Sequence, residues 1–231
     1  MKYGIIGDLH LEFYSNYAIK KLIDKINSYD VDVVLNAGDT SPNPKMCSEF
    51  ARSMKNYYFS VLGNHDFYGH KLSPAYREDA AFDLVGSTLW TSFDNQNPLV
   101  MEDARKCIAD FYNIHSMNND YEYTIPSEIV ELNKLSEDFI FQSKRKIVLT
   151  HFPPSNQSSR PEHRGDYLNQ YFCNSLEERI LDSDKKLWVC GHTHYNAEYY
   201  IGDCLVVSNS LGYPGENYGS VDEYEMKVVE V

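Results

Sequence analysis

The sequence predicts an α/β protein, with two stacked β-sheets and helices on their outer faces. Three observations predict it. Short β-branched runs alternate with segments of helical spacing in the first part of the chain. The same alternation returns after Lys146. The last part carries three more strand-like runs with no helix between them. Repeated strand–helix–strand units argue for parallel pairing, and the helix-free tail suggests antiparallel pairing.

Taken in order, residues 3–7 are a short apolar run that stops at polar residues, as a buried strand does. Residues 17–29 place Ala18, Ile19, Leu22, Ile23 and Ile26 at helical spacing. A second strand is expected at 31–35, a short helix at 49–55 and a third strand at 57–62. Residues 82–90 hold two short strands or one bent at Gly86. Residues 99–111 and 126–142 read as helices, with Pro126 suited to the first turn. Strands follow at 146–150 and 187–190, with a helix at 176–181 between them. The final strands are 198–201, 204–208 and 225–231, and Gly202-Asp203 is a hairpin signal. No repeat, low-complexity tract or linker divides the chain. A single domain over 1–231 is expected, with 67–146 as a cap-like segment over the core pattern.

The 231 residues allow one generous domain, and a hydrophobic share of 42% supplies a core. The net charge of −13 argues against bulk nucleic-acid binding, which needs a Lys/Arg surplus. Bound divalent cations would offset that charge locally. Cys47, Cys107, Cys173, Cys190 and Cys204 are odd in number and form no C-x-x-C pair, which fits free thiols and a reducing compartment. No long apolar run marks a signal peptide or membrane span. A cytoplasmic protein with a small-molecule partner is the resulting expectation.

Five sites share one feature: a carboxylate, imidazole or amide stands just after an apolar strand. They are Asp8-Leu9-His10, Gly38-Asp39, Gly63-Asn64-His65-Asp66, His151 and Gly191-His192-Thr193-His194. The carboxyl ends of parallel strands face one crevice, so five distant segments can converge there. Gly38, Gly63 and Gly191 are expected where the chain turns sharply and its backbone comes close to a ligand. Aspartates with imidazoles, and no thiolates, suit Mn²⁺, Fe²⁺ or Zn²⁺ rather than a structural zinc site. Such a set exceeds what one ion can use with water bound. A carboxylate such as Asp39 can bridge two ions about 3.5–4 Å apart, which activate a shared water and clamp a phosphoryl oxygen.

Together these motifs resemble the signature of the calcineurin-like metallophosphoesterase superfamily. The likeness extends to Gly86-Ser-Thr-Leu-Trp90-Thr, His151-Phe-Pro-Pro-Ser155, Arg164-Gly-Asp-Tyr-Leu-Asn169 and Gly212-Tyr-Pro-Gly215-Glu, which look like a bacterial and phage branch of predicted phosphoesterases. The resemblance implies a four-layer αββα sandwich of two mixed sheets. It implies that Asp8, His10 and His194 hold one metal, that Asn64, His151 and His192 hold a second, and that Asp39 bridges. It implies that His65 binds no metal and either protonates the leaving oxygen or stabilises phosphoryl charge. The implied cofactor is a pair of divalent ions, manganese first, with iron, zinc or nickel as other fits. The implied activity is hydrolysis of a phosphomonoester or phosphodiester through a metal-bridging hydroxide, and a compact chain favours a small nucleotide-like substrate. The alternative is a non-catalytic metal-binding scaffold on the same fold. One departure stands out. Protein phosphatases of this superfamily carry a second Asp three residues after the bridging one, where this chain has Pro42. That leaves Asp66 as the nearest candidate to orient His65.

Other residues have competing readings. Arg160, His163 and Arg164 either contact substrate or belong to a solvated loop. His70 and His115 read as ordinary histidines, Trp90 and most of the tyrosines as packing residues, and 128–137 as the wet face of a helix. Asp110 has no assignable role.

Overall fold

The computed structural model describes residues 1–119 and 122–231. Its strands are β1 (Lys2–Ile6), β2 (Val33–Asn36), β3 (Tyr57–Ser60), β4 (Tyr76–Asp79), β5 (Leu84–Ser87), β6 (Ile147–Thr150), β7 (Leu187–Cys190), β8 (Glu198–Ile201), β9 (Cys204–Ser208) and β10 (Lys227–Glu230). Its helices are α1 (Asn16–Ile26), α2 (Pro44–Arg52), the single turn α3 (Phe93–Gln96), α4 (Pro98–Cys107), α5 (Asp110–Asn113), α6 (Pro126–Gln142), α7 (Asn169–Phe172) and α8 (Glu177–Leu181). One sheet has the order β10-β1-β2-β3, the other β4-β5-β6-β7-β9-β8. β1, β2 and β3 run parallel in the first, and β5, β6, β7 and β9 in the second.

The layering follows from side-chain alternation along each strand. Tyr3, Ile5, Val33 and Leu35 of the first sheet pack against Leu84, Ile147, Leu149, Leu187 and Val189 of the second. The opposite parity faces outward. Ile6 and Val34 meet Leu22 and Ile26 of α1 and Phe50 of α2. Val85, Val148 and Trp188 meet Ile129, Leu132 and Ile140 of α6. This is an αββα sandwich of two mixed sheets, as the sequence predicts. Each large apolar side chain buried this way contributes about 1.5–3 kcal/mol. Trp188 keeps its indole N–H satisfied on Thr150 Oγ1 at 2.9 Å. No helix among the described residues is long and apolar enough to cross a membrane. All five cysteines are free.

Four local expectations change. The helix expected at 49–55 starts earlier, because Asn43 caps the N–H groups of Lys45 and Met46 and Pro44 fills the first turn. The helix expected over 99–111 breaks at Ile108, which is extended at φ −90°, ψ 131°. The three C-terminal strands are not simply antiparallel. β9 lies parallel beside β7, β8 is its hairpin partner, and β10 crosses to pair antiparallel with β1. The stretch 128–137 is not all wet face, since Glu128 is buried. Its carboxylate accepts from Ser116 Oγ (2.6 Å), Asn118 Nδ2 (2.8 Å) and Thr124 Oγ1 (2.9 Å). β4 went unseen because Tyr-Arg-Glu-Asp is an exposed edge strand without apolar alternation. Within 67–146, β4 and β5 pair in the second sheet and α6 packs on it, while Tyr68 and residues 107–110 reach the cavity described below.

Glu128→Ala strands three donors near the start of α6, and the expected loss is about 2 kcal/mol. A urea titration checks it: the midpoint should fall at constant slope. An unchanged midpoint would show that the carboxylate carries none of this hold.

Candidate metal centre

The strand directions decide where the motif residues go. Asp8 and His10 follow β1, Asp39 follows β2, Asn64 follows β3, His151 follows β6, and His192 and His194 follow β7. The carboxyl ends of both parallel sets point to the same edge of the sandwich, and all seven side chains meet there.

The local backbone is forced into an unusual shape. Asp8, His10, Asp39, His192 and His194 all have positive φ, between 42° and 70°. The left-handed region is disfavoured for residues with a Cβ, and it persists where surroundings over-determine it. The surroundings here are identifiable. The Asp8 carboxylate accepts the His192 N–H at 2.9 Å and the Ser210 hydroxyl. Asp39 Oδ1 accepts the His65 N–H at 2.8 Å. Asp66 accepts the backbone N–H groups of Gly63 (2.8 Å), Asp39 (2.9 Å) and Ser41 (3.0 Å), tying the β2 and β3 loops together. Of the three motif glycines, only Gly38 needs its freedom for a positive φ, at +97°. Gly63 matters through close approach: a Cβ there would strike the Asp39 carboxylate and lie 2.6 Å from the Asp39 nitrogen.

The hydrogen-bond pattern fixes which atoms face inward. His151 Nδ1 donates to Ala37 O at 2.8 Å. Burial pushes its pKa down to about 4, against the opposing pull of Asp8, so the ring is neutral and its one proton sits on Nδ1. Its bare Nε2 then stands 2.8 Å from Asn64 Oδ1. The Asn64 oxygen faces in because its Nδ2 donates to Asp110 Oδ1 at 2.9 Å. His192 Nδ1 lies 3.1 Å from the same oxygen. On the other side, His194 Nδ1 donates to Glu216 Oε2 at 2.6 Å, so its Nε2 faces inward. That Nε2 is 3.0 Å from His10 Nε2 and 3.9 Å from Asp8 Oδ1. Asp39 Oδ2 stands between the groups, 3.8 Å from His10 Nε2 and 3.5 Å from His151 Nε2.

Electron pairs facing one another at such distances repel unless a proton or a cation lies between them. Burial, then Asp66 and Asp8, hold the Asp39 pKa well above the usual carboxylate range. Burial opposes ionisation of Asp8, but His194, His151 and His10 outweigh it and lower its pKa. His10 Nδ1 and His192 Nε2 are buried without a hydrogen-bond partner among the described residues. Among the described residues, Asp8, His10 and His194 form one cluster that could hold a metal ion, and Asp8, Asp39 and His151 form another, with ligand atoms within 4.8 Å of one another in each. His65 stands at the rim, stacked on Tyr68 at 4.2 Å, with Tyr213 Oη 3.4 Å from its Nε2. His10, Asp39 and His65 also form a cluster with ligand atoms within 4.8 Å of one another.

Several expectations are corrected here. Asp66 does not orient His65, because its carboxylate is turned onto backbone N–H groups. Arg164 donates to Ser159 O and Gln157 O and so holds its own loop, whereas Arg160 and His163 line the cavity. In line with expectation, His70 is exposed, His115 stacks on Tyr123, and Trp90 is buried. Glu216, Ser210, Tyr213 and Asp110 were missed as site residues. Glu216 and Tyr213 lie in a quoted motif, Gly212-Tyr-Pro-Gly215-Glu, that gave no hint of direction. The cavity over the cluster has a volume of about 550 Å³ and apolar walls that include Ile108, Leu168 and Phe172. Arg160 is the one Lys or Arg among its lining residues.

The profile of the family described as calcineurin-like phosphoesterase matches residues 1–196. An uncharacterized protein of Acanthamoeba polyphaga mimivirus is 25% identical over 260 aligned positions, covering 91% of each chain. Among solved structures, phosphopantetheinyl hydrolase (PptH) from Mycobacterium tuberculosis superposes with a TM-score of 0.63 at 13% identity, covering 92% of this chain and 90% of that one. The latter likeness is one of fold.

Asp66→Asn keeps the shape but removes the charge that three backbone N–H groups share. Burial, against those N–H groups, pushes the Asp66 pKa up to about 6, so the comparison belongs at pH 8, where the carboxylate is ionised. The expected loss is about 2–3 kcal/mol, read as a lower thermal midpoint. Equal midpoints would remove Asp66 as the clamp between the two loops.

Proposed function

This chain belongs to the calcineurin-like phosphoesterase family, and from that premise we propose that it hydrolyses a small, nucleotide-like phosphomonoester or phosphodiester at a pair of divalent cations. The observation that carries the reading is the inward-facing donor set, in which His151 Nε2 and Asn64 Oδ1 stand 2.8 Å apart with no proton to share. Asp8, His10 and His194 would hold one ion, Asn64, His151 and His192 the other, and Asp39 both. Manganese suits this mixture of carboxylate, amide and imidazole. Bound there, the ions would polarise a phosphoryl oxygen and acidify a water.

The chain's own residues do the rest. Glu216 and the Ala37 carbonyl each accept one imidazole N–H and so turn the opposite nitrogen of His194 and His151 inward. Burial, then His10, His151 and His194, push the His65 pKa down to about 3. His65 is therefore a neutral ring, and its N–H is a hydrogen-bond donor toward charge developing on the phosphoryl group or leaving oxygen. Among the described residues the Arg160 guanidinium makes one hydrogen bond, to Asn217 Oδ1 at 3.3 Å, which leaves other N–H groups for substrate oxygens. The apolar wall receives the leaving group, and 67–146 contributes to it as a cap through Tyr68 and Ile108. An acidic chain with a confined cavity favours small substrates over nucleic acid.

Chelation is expected to abolish cleavage of a nitrophenyl phosphate ester, and Mn²⁺ to restore it. Full activity in metal-free protein refutes the reading, and fewer than one metal per chain after growth in Mn²⁺ favours a scaffold. His65→Ala should retain both metals while turnover falls by about 10²–10³. Loss of a metal in that variant would make His65 a ligand.

A further inference from the structure

We infer that Asp110 is a positioning residue for the second cation site: by accepting the Asn64 amide N–H it turns the Asn64 oxygen toward His151 and His192. The inference rests on the dinuclear reading above and adds a residue that lies outside every motif of the sequence.

An asparagine side chain can turn over without changing shape, and only its neighbours decide which end points where. Asp110 is 1% exposed, at the start of α5 in the segment that breaks the expected helix. Its Oδ1 accepts from Asn64 Nδ2 at 2.9 Å and from Tyr68 Oη at 2.8 Å, and its Oδ2 accepts from Tyr171 Oη. All three partners donate, so both Asp110 oxygens are already engaged as acceptors. Turned over, Asn64 would set its oxygen against that carboxylate and its amide N–H groups toward the cation site. Asp110 thus holds one of two orientations of the same shape, against the bare His151 Nε2, which would accept from the amide if it turned over. Tyr68 follows the β3 loop and Tyr171 lies on α7, so Asp110 is held by two elements besides its own. Glu216 is the counterpart at the other ion, where it fixes His194. Each proposed ion site therefore has its own carboxylate behind one ligand, buried at Asp110 and partly exposed at Glu216.

Asp110→Asn is isosteric, but its amide can pair with Asn64 in either orientation. Mn²⁺ titrations of the full chain, read by calorimetry and by the electron paramagnetic resonance of free Mn²⁺, separate the two sites. The wild type should take up two equivalents. In Asp110→Asn the first should bind as in wild type and the second about 10–100-fold more weakly. In an Asn64→Ala background the same substitution should change nothing further, because Asp110 acts through Asn64. Equal weakening of both equivalents, an intact second equivalent, or an additional loss in the Asn64→Ala background overturns the inference. Tyr171→Phe carries the test if Asp110→Asn does not fold. It loosens the same carboxylate, so a weaker second equivalent supports the positioning role and an unchanged one overturns it. A wild type that binds fewer than two Mn²⁺ would instead sink the dinuclear reading beneath it.

Discussion

Ligand-type atoms packed 2.8–3.9 Å apart, with His151 Nε2 and Asn64 Oδ1 sharing no proton at 2.8 Å, are the constraint around which this end of the molecule is built. Left alone, such an arrangement is repulsive in a buried setting, where water screens little. The fold nevertheless holds it in place by fixing the protons elsewhere. Ala37 O and Glu216 draw the imidazole protons of His151 and His194 outward, and Asp110 draws the Asn64 amide N–H the same way. His151 Nε2 and Asn64 Oδ1 are left facing inward without a proton.

Holding the array open needs a rigid frame, and the two-sheet sandwich provides one. Parallel strands from each sheet end at one edge, so loops from five strands arrive together. The loops are then cross-tied. Asp66 joins the β2 and β3 turns through three backbone N–H groups, and Asp8 joins the β1 loop to the β7 loop through the His192 N–H. The left-handed backbone at five of the seven donor residues is the local consequence. Those conformations are unfavourable for aspartate and histidine in isolation, and the sheets behind them supply the burial that offsets the strain. Sheet packing and site chemistry are therefore one problem: loosening a strand end also relaxes a donor.

Much of this was legible in the sequence, for a definite reason. Residues 187–190 and 204–208 are apolar runs that burial on both faces demands, and β7 and β9 occupy them with those same bounds. Pro126 announced α6, which runs over Pro126–Gln142. The seven candidate donors were legible because each follows such a run directly. What stayed hidden lacks a periodic signature. β4 is a polar edge strand, and the start of α2 depends on one capping asparagine. Asp110, Glu216 and Ser210 reach the cluster only through tertiary contacts 46, 22 and 202 residues away along the chain. Asp66 shows the opposite failure. Its place beside His65 suggested a partnership, yet backbone N–H groups from three directions claim both of its oxygens.

Anomalous diffraction at the manganese edge, from crystals grown with Mn²⁺, reaches the heart of the matter. Two peaks should appear, one against Asp8, His10 and His194 and one against Asn64, His151 and His192, with the Asp39 carboxylate touching both. A cluster that takes up no manganese and closes through an Asp39 proton shared with a neighbouring histidine would contradict it.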